Sequence, residues 1–167
     1  MNDFSAKSRY DRIVSVEMFE HIHNWAELLE RVGTWLEEEG RFFMHIFCHK
    51  NLAYNFETKG DNNWLGRYFF TGGIMPSHEL AYLFQDHLIL EDTWAMTGTH
   101  YQQTADNWLA NMGTNREKLL KVLAETYGSE AEIWFQRWRM FFMATSEVWG
   151  FRGGNEWLLS HFRMRKR

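Results

Sequence analysis

Glycine is spread too thinly along this 167-residue chain to build a nucleotide-cradling turn. The twelve glycines stand at 33, 40, 60, 66, 72, 73, 98, 113, 128, 150, 153 and 154, and no two are separated by a single residue. A G-x-G turn, which lets backbone approach a ligand and frees a helix N-terminus, is therefore absent. Cysteine is reduced to Cys48, which excludes an internal disulfide and fits a reducing compartment. Pro76 is the sole proline, and no Pro/Gly/Ser-rich linker, low-complexity tract or repeat divides the sequence, so residues 1–167 read as one domain. No run of 18 apolar residues exists, and the opening MNDFSAKSRYDR is too polar for a secretory leader, so the expectation is a cytoplasmic protein. A net charge of −4 argues against the basic field that nucleic-acid binding needs. The closing RMRKR reads as a solvated charged end.

Aromatic residues are abundant, at 17%, with nine Trp and nine Met. A dense core accounts for most of them, and bulky-substrate or lipid-facing cavities would use the rest. Apolar residues Ile13, Val14 and Val16 predict a buried-type parallel strand over 12–16. Trp25, Leu28, Leu29, Val32 and Leu36 predict a helix stopped by Gly40, followed by a strand over 41–49. Ser77 is positioned to cap a helix bearing Leu80, Leu83, Phe84 and Leu88, with a strand near 88–96 after it. Thr104 could cap a helix carrying Trp108, Leu109 and Met112. Two further apolar stripes run 119–127 and 134–145, and a strand over 157–164 closes the chain. The order is an α/β pattern whose last strand pair suits an antiparallel edge.

Directly after the first strand come Glu17, Glu20 and His21. Were the backbone helical there, offsets of three and four would place all three on one side of a turn. Ligands of open α/β sheets bind at such strand tips. Carboxylates in a first helical turn are also favoured by the helix dipole alone, so spacing by itself decides nothing.

The strings SVEMFEH, FFMHIFCHK, RYFFTGGIMPS, HYQQTADNWLANM, RWRMFFMA and GNEWLLSHF, in that order, resemble the cyclopropane-fatty-acid synthase family of S-adenosylmethionine-dependent methyltransferases. Within it, the chain resembles the coclaurine N-methyltransferase-like branch, which has a glutamate where the lipid enzymes usually have glycine before MFEH. The resemblance implies an α/β fold: the C-terminal part of a Rossmann-like class I methyltransferase sheet, with helical substrate-cap insertions at 51–76 and 99–152. It also implies that the glycine-rich N-terminal half, which cradles the cofactor, is missing here.

Further implications concern single residues. Glu17, Glu20 and His21 would face the transferred methyl group, hold a substrate amine and take its proton. Histidine suits that task near neutrality. His45 and Tyr101 would reach the pocket. Phe47, Tyr68 and Phe69 would line the substrate side, with Gly72 and Gly73 as a bend or hinge. Asn2 and Asp3 would lie where the adenine-contacting segment ends. A metal reading of His45-x-x-Cys48-His49 is weak, because strand parity separates the cysteine from the histidines.

The resulting expectation is methyl transfer from S-adenosylmethionine to a small-molecule amine. One alternative is methylene transfer to unsaturated phospholipid acyl chains, with bicarbonate as base near Glu20. An alternative of another class is a non-catalytic fragment or scaffold. An open edge at the first strand must be covered, which predicts self-association or a companion supplying the missing half.

Overall fold

A computed structural model of the chain describes residues 4–60 and 62–167. These form two compact units, one from the described residues of 4–96 with 158–167, the other from residues 97–157. Asn2 and Asp3 lie outside the described residues.

The first unit is built on a four-stranded sheet of β1 (Tyr10–Val16), β2 (Leu36–His49), β6 (Trp157–Lys166) and β5 (Leu88–Thr97), in the order β1-β2-β6-β5. β1 and β2 are parallel, in register from Arg12 opposite Arg41 to Val16 opposite His45. β6 runs against β2. Cys48 meets Ser160 near one end of the pair, and Glu38 meets Lys166 near the other. Helix α1 (Trp25–Trp35) crosses between β1 and β2. Asn24 caps it by accepting from the Glu27 amide and donating to the Glu27 carboxylate at 2.8 Å. Leu28, Leu29 and Val32 of α1 pack on Phe42, Met44 and Ile46 of β2, with Leu88, Phe162 and Met164 completing the core. The alternate residues of β2 (Phe43, His45) therefore point to the other face.

Several expectations need correction. The helix stops at Trp35, and Gly40 sits inside β2 at an irregularity where residues 37–40 bulge out of the pairing with β1. A Cβ on Gly40 would come within 2.9 Å of the Glu37 carbonyl, so this position serves a tight bulge rather than a helix end. The segment after Ser77 forms only a 3-10 turn over Leu80–Leu83, without a side-chain cap. Its approach is tied to the end of β2 instead, through the His49 amide to Pro76 and the His78 amide to His49. β1 is not buried on both sides: it is a sheet edge among the described residues, and Val14 and Val16 are 64% and 56% exposed.

Between β2 and β5 lie β3 (Tyr54–Asn55), α2 (Trp64–Tyr68) and β4 (Ile74–Met75), with β3 and β4 paired antiparallel. The second unit contains α3 (Thr99–Thr114), α4 (Arg116–Tyr127) and α5 (Ala131–Gly150). Thr104 lies inside α3, donating its hydroxyl to the His100 carbonyl, because the helix already starts at Thr99. Trp108, Met112, Leu119, Leu123, Trp138 and Phe142 line an apolar cleft of about 800 Å³ among these helices. Among the described residues, no helix is long and apolar enough to cross a membrane.

Candidate active site

The turn that follows β1 does not continue as a regular helix. Glu17 takes a left-handed backbone (φ 51°), and a 3-10 turn follows at Phe19–His21. The Glu17 amide donates to the His45 carbonyl at 3.0 Å, so the bend is fixed against β2. The Trp25 indole donates to the Phe19 carbonyl at 2.9 Å and ties the turn to α1. Glu17, Glu20 and His21 consequently do not share one helical face. A non-glycine residue in left-handed backbone costs about 1–3 kcal/mol and persists only where its surroundings hold it.

Each of the three has its own environment. The Glu17 carboxylate lies 3.1 Å from His45 Nε2. Glu20 is fully buried, and neither carboxylate oxygen has a hydrogen-bond partner among the described residues. Burial first, and the nearby Glu17 charge second, push its pKa up to about 8. His21 is exposed, with its ring stacked on Phe70 at 5.9 Å.

Aromatic rings extend this end of the sheet. Phe70 stacks on Phe56 at 4.7 Å and meets the Phe47 ring edge-on at 5.8 Å. Gly73 passes so close to the turn that a Cβ there would lie 3.0 Å from the Glu20 carbonyl. The Tyr68 and Phe69 rings lie 5.7 and 5.3 Å from that of Trp64. Gly72 has a positive φ of 77°, a conformation that Gly73 does not share. Tyr101 lies in the second unit on α3, edge-on to Trp149 at 5.1 Å. Glu17, Glu20, His45, His21 and Phe47 thus gather at one end of the first unit's sheet, together with Phe70 and Phe56.

Sequence reasoning missed His161. Its ring lies 4.6 Å from that of His45 and is stacked parallel on Trp94 at 5.2 Å. The available signal was the period-two alternation of β6, in which Ser160 and Phe162 are buried and His161 takes the face between them. Beneath the site, the Ser160 hydroxyl lies 3.0 Å from Cys48 Sγ and 2.7 Å from His78 Nδ1. Burial lifts the Cys48 thiol to about 11, which leaves it a structural group rather than a nucleophile.

The chain is 31% identical over 168 residues to (S)-coclaurine N-methyltransferase of Papaver somniferum, covering 98% of this chain and 48% of that protein. It is 33% identical to the cyclopropane-fatty-acyl-phospholipid synthase of Escherichia coli over 103 residues, 60% of this chain and 25% of that one. Among solved structures, coclaurine N-methyltransferase bound to N-methylheliamine and S-adenosylhomocysteine matches with a TM-score of 0.90 at 30% identity, over 98% of this chain and 48% of that one. The mycolic acid cyclopropane synthase CmaA1, complexed with S-adenosylhomocysteine, shares the fold with a TM-score of 0.72 at 17% identity, over 99% and 57%. The chain spans about half the length of the curated relatives it matches. Residues 1–155 match the family described as mycolic acid cyclopropane synthetase, and the chain belongs to that family, with the α/β fold of class I methyltransferases.

Proposed function

We propose that this chain is the acceptor-side portion of a class I methyltransferase that methylates a small-molecule amine. The observation that carries this reading is Glu20, a buried carboxyl whose two oxygens lack hydrogen-bond partners among the described residues, set beside the Glu17–His45 pair. Burying an unpaired polar group costs free energy unless a ligand satisfies it. A cationic amine supplies both N–H donors and the charge that favours ionised Glu20. With a pKa about 8 before the amine arrives, Glu20 is poised near neutrality for proton exchange. The acceptor's N–H bond breaks, its proton passes to Glu20 or to the exposed His21, and the nitrogen lone pair becomes available. Glu17, held by His45, adds negative potential that attracts the cation. The coclaurine N-methyltransferase relatives act on amines by name, which supports the same acceptor class here.

S-adenosylmethionine supplies the methyl group when bound. This chain does not by itself offer the cradle for it: no two glycines are spaced to make one. We assign the cradle to a further segment, on the same polypeptide or on a companion, that adds a strand at the open edge of β1. Residues 1–167 then act within one catalytic domain, with 51–76 and 99–152 as cap or substrate segments and Tyr68, Phe69, Gly72, Gly73 and Tyr101 on the acceptor side. A lipid acceptor is the second reading, favoured by the family match and by the apolar cleft of the helical unit.

The test is co-expression with the N-terminal half of a coclaurine N-methyltransferase, followed by transfer of labelled methyl to a panel of amines and to unsaturated phospholipids. Amine methylation that falls by about 100-fold or more in Glu20→Gln is the expected result. An assembled pair that binds S-adenosylhomocysteine yet methylates only lipid would overturn it.

A further inference from the structure

Four side chains, one just past β1 and one on each of the other strands, form a row across the sheet. Glu17 follows β1, His45 stands on β2, His161 on β6 and Trp94 on β5, matching the strand order. The links are Glu17 Oε1 to His45 Nε2 at 3.1 Å, the His45 and His161 rings edge to face at 4.6 Å and 83°, and the His161 and Trp94 rings parallel at 5.2 Å and 4°. Phe43 closes the row from one side, 5.8 Å from His161 and 6.0 Å from Trp94.

We propose that His161 is a positioning residue: backed by Trp94, it fixes the ring plane and tautomer of His45, whose Nε2 lies 3.1 Å from the Glu17 carboxylate. The proposal deepens the amine-transfer reading, since the Glu17 carboxylate would be the group so placed. A histidine with one ring nitrogen beside a carboxylate needs its ring held, because which nitrogen carries the proton depends on its neighbours. His161 is suited to be the neutral member. Burial and the adjacent His45 both lower its pKa, against weaker opposing effects of the Trp94 backbone and Glu17, and its Nδ1 is buried without a hydrogen-bond partner among the described residues. Two adjacent imidazolium rings would repel, which further favours the neutral form of His161.

Charged and titratable groups flank the row on every strand. Past β1 these are Glu17 and Glu20. On β2, Arg41 is bound to Glu91 at 2.7 Å and Cys48 stays a thiol. On β5 and β6, Glu91 and Asp92 each lie 3.5 Å from Arg163. The Arg41, Arg163, Glu91 and Asp92 charges are thus paired among themselves.

The experiment is long-range 1H–15N NMR of the full chain labelled with 15N, which reads imidazole tautomers without any methyl transfer. Wild type and His161→Phe, which keeps the ring wall, are expected to show His45 as one tautomer protonated at Nε2. His161→Ala removes the wall and is expected to mix both tautomers. In His45→Phe the His161 midpoint is expected to rise toward the ordinary histidine value of about 6.5. Dispersed methyl spectra establish folding for each variant, and His161→Gln serves where alanine does not fold, with the same mixing expected. A single, unchanged His45 tautomer in a folded His161→Ala or His161→Gln chain overturns the proposal, as does an unmoved His161 midpoint in His45→Phe. Both outcomes are read without catalysis, so the amine reading stands or falls separately.

Discussion

Glu20 concentrates the energetics of the site in one side chain. Its pKa of about 8 in the folded protein lies above the ordinary value of 4.5 for an exposed carboxyl. The folded state therefore binds more protons than the unfolded state across that window, and stability falls as pH rises from about 4.5 to about 8. The full effect is on the order of several kcal/mol. Glu20→Gln, neutral and of similar shape, is expected to flatten this dependence: melting temperatures by scanning calorimetry should rise over wild type at pH 8 and converge near pH 4. Equal slopes for the two proteins would contradict the burial argument. Cys48 gives a simpler test at the same scale. Its raised pKa and full burial predict labelling by a disulfide reagent only on unfolding, at the unfolding rate.

At the scale of elements, the turn between β1 and α1 sets the geometry of the acidic groups. Asn24 and Trp25 anchor its far side, so Asn24→Ala should cost about 1 kcal/mol in urea denaturation through loss of the cap. Gly73→Ala should act on the site itself. Its Cβ would meet the Glu20 carbonyl at 3.0 Å, and the loop must yield. The expected outcome is a modest loss of stability, about 1 kcal/mol, with a disproportionate fall in kcat of the assembled enzyme. The existence of β1, α1, β2, β5 and β6 was legible in the sequence because apolar periods of 2.0 and 3.6 survive in their residues. Bends were not legible. Glu17 adopts a left-handed backbone that glutamate rarely takes, fixed by the hydrogen bond from its amide to the His45 carbonyl on β2, so local offsets misplaced the three ionisable groups. The Ser77 helix failed for a similar reason, its first residues being bound to the end of β2.

At the scale of the whole molecule, the first unit ends in an edge strand with a half-exposed apolar face. Tyr10, Val14 and Val16 remain exposed on β1, an arrangement that invites pairing. Val14→Lys with Val16→Lys should change the stability of this chain by less than about 1 kcal/mol while blocking assembly with a cofactor-binding half, as light scattering would show. Family membership and fold follow from residues distributed along the chain, which is why both could be read early. The row from Glu17 to Trp94 could not, since it joins four strands whose order no local pattern reveals.

The central claim is that buried Glu20 receives a cationic amine. Calorimetric titration of the chain with a secondary amine at pH 7, repeated in two buffers of different ionisation enthalpy, measures protons released on binding. The account predicts release approaching one proton as Glu20 ionises against the ammonium, and loss of that release in Glu20→Gln. Binding with no proton exchange, or with the same exchange in Glu20→Gln, would contradict it.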